Sequence, residues 1–170
     1  LGFTKLGFDS DESEFEIFAQ GLGLFFTSKR SWLGFNEHCR GFGGEECYIH
    51  EKYRKAGRKA ICLPFLKWLH RFARPDGVKY ELTIDNKVRN YILEFTELDL
   101  DLSPVYKEFV EDAKFDENKY NQFLEEAKTI ATENVSTFSS LVSKDTPLVG
   151  IEPSAILGFR DEYPNLVDAP

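Results

Sequence analysis

The stretch G-F-G-G-E-E-C-Y-I-H-E-K-Y-R-K-A-G, from Gly41 to Gly57, decides how this part of the chain folds. Its glycines predict a loop over residues 31–44. The helix dipole favours acidic side chains in the first turn of a helix and basic side chains in the last, and a glycine commonly ends the helix. The pattern therefore predicts a helix from Glu45 to Ala56 that stops at Gly57.

Short strands are predicted on both sides of this helix. Phe15 to Thr27 is apolar and aromatic, which indicates a buried strand, and Gly21 and Gly23 indicate that its backbone lies close to a ligand or another segment. Lys59 to Leu63 is a second candidate strand, closed by Pro64.

The rest of the chain is predicted to be mostly helical. Apolar residues recur at helical spacing over Thr83–Leu98, interpreted as a surface helix, and over Glu117–Leu141, a long helix with an acidic outer face. Ser103 and Pro104 fit the start of a short helix through Val110. A short strand is predicted over 147–151 and a turn of helix over 153–159.

Charge and composition exclude some classes of protein. The chain has 170 residues, 42% of them hydrophobic, and a net charge of -8. Residues 1–28, 29–92 and 93–170 carry net charges of -4, +7 and -11, so a basic middle that suits phosphate-bearing ligands lies within an acidic chain. No apolar run has the length of a membrane span, and no base-reading motif indicates nucleic-acid binding. Three cysteines at irregular spacing suit reduced thiols and a cytoplasmic protein.

Two acids and one imidazole are the candidate chemical groups. Glu45 and Glu46 lie where the glycine loop meets the helix, and either carboxylate could act as a general base toward a hydroxyl. The alternative is that they only stabilise the helix N-terminus. His70, in an aromatic stretch, is a candidate metal ligand beside Arg71, a candidate phosphate contact; the alternative is a histidine packed in the core.

Residues 14–110 resemble the C-terminal catalytic half of GT-A-type nucleotide-sugar glycosyltransferases. The similarity is carried by E-F-E-I-F-A-Q-G-L-G-L-F-F-T, W-L-G-F-N, G-F-G-G-E-E, C-L-P-F-L-K-W-L-H-R-F and V-R-N-Y, in that order. It implies a metal-dependent transfer of sugar from a nucleotide-sugar donor to a hydroxyl acceptor.

The resemblance also implies roles for individual residues. Glu45 and Glu46 would bind sugar and be catalytic, with Glu46 as the base if the reaction inverts the anomeric centre. His70 would ligate Mn²⁺ or Mg²⁺. Gln20, Gly21 and Gly23 would line the donor pocket, and the other substrate-binding residues would be Gly43, Gly44, Trp68 and Arg71.

The same resemblance predicts the domain organisation. Residues 1–112 would form an α/β unit, a partial GT-A-like sheet with flanking helices, and residues 113–170 a mostly helical extension with a short strand. Such enzymes carry an Asp-x-Asp motif in an N-terminal nucleotide-binding half, and Asp9-Ser10-Asp11 lies too near the start to follow the required strands. We therefore expect a missing N-terminal half, or a second copy of the chain, to complete the enzyme.

Two alternatives come from the end of the chain. Residues 123–167, most closely P-L-V-G-I-E-P-S-A-I-L-G-F-R-D-E-Y, resemble the cysteine-rich region of FAD-linked iron-sulfur oxidoreductases, although residues 63–170 contain no cysteine. The chain would then be a redox fragment. The acidic helix over Glu117–Leu141 suits a non-catalytic interaction module instead.

Overall fold

The computed structural model describes residues 13–66, 74–139 and 141–142. These residues form a mixed structure in which helices dominate and the strands form a small antiparallel pair. This agrees with an α/β description at its coarsest level. The elements are β1 (Phe15–Glu16), α1 (Glu45–Lys55), β2 (Ile61–Cys62), α2 (Ile84–Glu97), α3 (Ser103–Tyr106) and α4 (Glu117–Ser139).

The predicted strand over residues 15–27 is wrong for most of its length. Phe15 pairs with Cys62 and Glu16 with Ile61, and the Ile17 N–H donates to the Ala60 carbonyl at 2.9 Å. Beyond this point the chain leaves the strand and makes a 3₁₀ turn over Leu22–Leu24. A strand needs a partner for its backbone groups, and the short β2 offers one only at the start of the segment.

Helix α1 confirms the prediction from the glycine loop. It runs from Glu45 to Lys55 with both acids in its first turn. Gly57 follows with φ of +70°, and its N–H donates to the Arg54 carbonyl at 2.8 Å, as expected of a glycine that ends a helix.

Helix α2 has the predicted extent but lies in the core rather than on the surface. The Thr83 hydroxyl accepts the Asn86 N–H at its N-terminus. Most of its central residues are buried, polar ones included. Their hydrogen-bond partners come from segments distant in the sequence, which explains why polarity at these positions does not mark a solvent-facing side.

Arg89 shows how such a buried polar residue is satisfied. Its guanidinium makes two hydrogen bonds to Glu126 of α4, at 3.0 and 2.7 Å, and a third to the His38 carbonyl. The Arg89 guanidinium and the Glu126 carboxylate each reduce the free-energy cost of burying the other. A buried charge without a partner would be strongly destabilising. Arg89 therefore ties α2 to α4 and to the loop before α1.

Two clusters of apolar side chains form the core. The larger one lies between α2, α3, α4 and the π-helical segment Lys107–Asp112 that continues α3, and its buried members are Val88, Ile92, Leu93, Val105, Phe109, Tyr120 and Ala127. The smaller one packs α1 against the loop before it, with buried Leu33, Tyr48, Ile49, Tyr53 and Leu98. Helix α4 ends at Ser139, close to the predicted Leu141.

Several predictions fall outside the described residues. The strand over 147–151 and the turn over 153–159 are among them, as are Asp9, Asp11 and most of the aromatic stretch before Pro75. No helix in the part of the chain that the structure describes is both long and apolar enough to cross a bilayer.

Candidate active site

The glycine loop reaches α1 through backbone conformations that suit glycine. Gly43 and Gly44 have φ of +115° and +102°, in the region that side chains disfavour. Both are buried against α2: a Cβ on Gly43 would lie 2.7 Å from Lys87 Cγ, and one on Gly44 would lie 2.2 Å from Glu94 Oε2. The two glycines therefore allow the loop to pack tightly on α2 where α1 begins.

Asn90 of α2 holds this loop by its backbone. Its side-chain carbonyl accepts the Arg40 N–H at 2.9 Å, and its amide donates to the carbonyls of Arg40 and Gly43 at 2.8 and 3.1 Å. Glu45 adds a local bond, since its Oε2 accepts the Gly43 N–H at 2.8 Å. Three hydrogen bonds with Asn90 and one with Glu45 thus fix the loop that leads to the acids at the start of α1.

Glu46 is a half-buried carboxylate at this junction. Burial raises its pKa above the ordinary value of 4.5, the neighbouring Glu45 raises it further, and the Lys87 ammonium opposes both effects. A carboxylate with a raised pKa is a better proton acceptor, which is the property a general base needs.

The predicted glycine-bearing segment lies over Glu46. A Cβ on Gly21 would lie 3.9 Å from Glu46 Oε1, so the backbone of this segment passes beside the carboxylate. Gln20 precedes it and donates from its amide to the Leu24 carbonyl at 3.3 Å, while Gly23 lies within the turn at Leu22–Leu24. Of the predicted site residues, the structure thus brings Gln20, Gly21, Gly43, Gly44, Glu45 and Glu46 to one region around the start of α1.

The remaining predicted site residues are not placed. Trp68, His70 and Arg71 lie outside the described residues. Within residues 13–66, 74–139 and 141–142, no three His, Cys, Asp or Glu side chains are close enough together to hold a metal ion. A Mn²⁺ or Mg²⁺ ion at His70 stays a prediction that rests on the resemblance.

Glu94 is a buried acid that the sequence did not reveal. It is 3% exposed, and burial raises its pKa to about 9, aided by the nearby carboxylates of Glu45, Glu97 and Glu46. Its Oε1 lies 3.6 Å from the Cys39 thiol, which donates to it. At neutral pH the Glu94 side chain is therefore a neutral carboxylic acid beneath the N-terminus of α1.

A hydrogen-bonded cluster around Glu97 lies one helical turn beyond Glu94 on α2. Glu97 accepts from the Asn36 amide and the Tyr48 hydroxyl, each at 2.7 Å, and from the Lys52 ammonium at 2.8 Å. Lys52 also donates to the Tyr48 hydroxyl at 2.7 Å. Glu97 thus accepts hydrogen bonds from three donors, whereas Glu94 accepts from the weak Cys39 thiol donor and pairs with no cation among the residues that the structure describes.

His50 is the second residue that the sequence analysis missed. It is 2% exposed, and its Nδ1 lies 2.5 Å from the Glu46 carbonyl, one turn earlier on α1. The edge of its ring meets Phe25 at a centroid distance of 5.7 Å. The signal was its spacing of four residues from Glu46, which places both on the same side of a helix.

A cavity of about 220 Å³ lies next to this histidine. It separates α1 from the segment that carries Gln20 and from the strand residues near Cys62. Its lining includes Gln20, Phe25, Thr27, His50, Tyr53 and Cys62. Glu46 does not line the cavity, but His50, one helical turn later, does and binds the Glu46 carbonyl. The candidate site therefore consists of Glu46 at the helix start and a small cavity one turn further along α1.

Comparison with known proteins leaves the site to be interpreted from its own geometry. No protein-family model, no curated protein and no solved structure matches this chain.

Proposed function

We propose that this chain takes part in transferring a sugar from a nucleotide-sugar donor to a hydroxyl acceptor, with Glu46 as the general base. The observation that carries the proposal is the nearness of Gly21 to the Glu46 carboxylate: a Cβ on Gly21 would lie 3.9 Å from Glu46 Oε1. Gly21 and Glu46 come from two of the sequence segments that carry the resemblance to glycosyltransferases.

The proposed step needs one proton acceptor. As the acceptor oxygen forms a bond to the anomeric carbon, its proton passes to a Glu46 carboxylate oxygen, and the bond from that carbon to the donor phosphate breaks, releasing the nucleoside diphosphate. The raised pKa of Glu46 favours the proton transfer. Glu45 accepts a backbone N–H of the glycine loop, so its role is to hold that loop against the acceptor as well as to meet a sugar hydroxyl.

The open approach on the glycine side suits a sugar. Because Gly21 has no side chain, the space that a Cβ would fill 3.9 Å from Glu46 Oε1 stays open beside the carboxylate. Lys87 lies near enough to Glu46 to lower its pKa, and it offers a positive charge to a phosphate leaving group. A divalent cation bound at His70 would add further charge on the diphosphate, as the resemblance implies.

Replacing Glu46 with Gln tests this proposal. The amide keeps the size of the side chain but cannot accept the proton, so we expect transfer to slow by about 10²- to 10⁴-fold. Product is measured with a panel of nucleotide sugars and simple alcohol acceptors in the presence of Mn²⁺. We expect low turnover from the chain by itself, because the resemblance implies that the nucleotide-binding half is a separate N-terminal part. The readout is therefore the ratio between the turnover of the variant and that of the wild type.

Glu51→Gln is the matched control for this test. Glu51 lies on the same helix and pairs with Arg54 at 2.5 Å, away from the glycine loop. Its variant is expected to transfer sugar within about threefold of the wild type. Equal turnover of the Glu46 variant and the wild type, or no product from any donor, would contradict the proposal.

A further inference from the structure

The cavity beside His50 has the size of a single ring. Its volume of about 220 Å³ exceeds the roughly 150 Å³ of an apolar cavity that accepts benzene, and it falls below the 300 Å³ or more of a typical drug-sized pocket. A cavity of this volume has room for one six-membered ring with its substituents. The size therefore suits a ligand built on a single ring.

The hydrogen-bond pattern of His50 shows what the ring must offer. A backbone carbonyl only accepts hydrogen bonds, so His50 Nδ1, 2.5 Å from the Glu46 carbonyl, carries the hydrogen. Burial lowers the pKa of His50 and keeps the ring neutral, so Nε2 is left as an acceptor. Among the residues that the structure describes, none donates to Nε2. A ligand hydroxyl is the matching group.

The other lining groups suit a polyol. Thr27 and Tyr53 place two hydroxyls 2.7 Å apart, and Gln20 adds an amide carbonyl. The charged residue in the lining, Lys59, pairs with Glu16 at 3.1 Å at the exposed edge. The lining therefore combines polar groups with aliphatic and aromatic ones. Because its cation, Lys59, is already paired with Glu16, the lining favours a neutral ligand over a phosphate.

We infer that this cavity binds a monosaccharide ring, with a sugar hydroxyl donating to His50 Nε2 and the apolar face of the ring packed on the lining side chains. The cavity adjoins the candidate base, because His50 binds the carbonyl of Glu46 and Gln20 precedes Gly21. The ring belongs to the acceptor, and this one assignment rests on the proposed function. Binding of a free monosaccharide does not depend on it.

Free monosaccharides test the inference in the absence of nucleotide and metal. Glucose, galactose, mannose and N-acetylgalactosamine are titrated into the whole chain and followed by NMR. We expect at least one to bind with a Kd of about 1 mM. Ala60→Leu, which fills the cavity from its lining, is expected to abolish binding, and His50→Phe, which keeps an aromatic ring but removes the acceptor, to weaken it by about tenfold.

His38→Phe is the matched control, because His38 lies outside the cavity and pairs with Glu37 at 3.9 Å. Its variant is expected to bind sugar within twofold of the wild type. Amide spectra of each variant establish that it is folded. Inorganic phosphate is the competing probe, and it is expected not to displace the sugar.

Three results would overturn the inference: no monosaccharide binds the folded wild type, Ala60→Leu binds as well as the wild type, or phosphate displaces the sugar. The proposed function fails by a different result. If sugar binds the cavity while Glu46→Gln transfers sugar as fast as the wild type, the inference about the cavity holds. The proposed role of Glu46 as general base is then wrong.

Discussion

Replacing Glu94 with Gln is expected to remove most of the pH dependence of folding stability between pH 4.5 and about 9. The pKa of Glu94 is raised from 4.5 to about 9 in the folded chain. The folded state therefore holds a proton that the unfolded state releases across this range. The stability that the neutral acid contributes is fully present below pH 4.5, and it is lost as the pH rises toward 9.

The size of this effect follows from linkage. While the folded state binds one proton more than the unfolded state, the free energy of unfolding falls by about 1.4 kcal/mol for each pH unit. The amide of Gln has nearly the same shape as the protonated acid and no charge to bury. The Glu94→Gln variant is therefore expected to unfold with little dependence on pH, and to be more stable than the wild type at pH 8.

Urea denaturation at pH 5, 7 and 8.5 measures this slope. Glu97→Gln is the matched control, because Glu97 lies one turn further along α2 but receives hydrogen bonds from Asn36, Tyr48 and Lys52. That variant leaves the Lys52 ammonium without its carboxylate and is expected to be less stable at every pH. A wild-type stability that is flat across this range would show that Glu94 is ionised or exposed.

Replacing Gly44 with Ala is expected to lower the free energy of unfolding by about 2–6 kcal/mol. The new Cβ would lie 2.2 Å from Glu94 Oε2, closer than any real contact, and the backbone φ of +102° is strained for a residue with a side chain. Strain of this kind costs about 1–3 kcal/mol, and overpacking a buried site adds a similar amount. Either the buried Glu94 carboxyl group or the start of α1 would have to move to relieve the clash.

Gly57→Ala separates strain from the clash. Gly57 lies at the other end of α1 with φ of +70°, and a Cβ there would meet nothing within 4 Å. Its variant bears only the backbone penalty, about 1–2 kcal/mol. Thermal unfolding of both variants under identical conditions compares them, and equal losses of stability would mean that Gly44 is not pressed against Glu94.

The helices could be predicted because their signals are local. The acids and bases at the two ends of α1 and the apolar spacing of α2 and α4 each act within a turn or two of their own helix. The strand over 15–27 failed for the opposite reason. Its pairing depends on β2, some 45 residues later, and that partner is too short to extend it.

Only some residues of the candidate site could be predicted from the sequence. Glu45 and Glu46 stand out because they follow three glycines, and the spacing alone brings them to the start of a helix. Glu94 gave no such signal, since an acid on an amphipathic helix is normally solvent-facing. Its burial results from the close approach of Gly44 and Cys39, contacts that span about 50 residues of sequence.

Amide NMR spectra of the whole chain, titrated with a nucleotide sugar in the presence of Mg²⁺, test the proposed function most directly. The account predicts that the signals of Gly21, Gly43 and Glu46 shift together with a single Kd, because these residues surround one sugar. Signals from the outer face of α4, such as that of Lys128, are expected to stay in place. No saturable shift with any nucleotide sugar, or shifts confined to α4, would contradict the account.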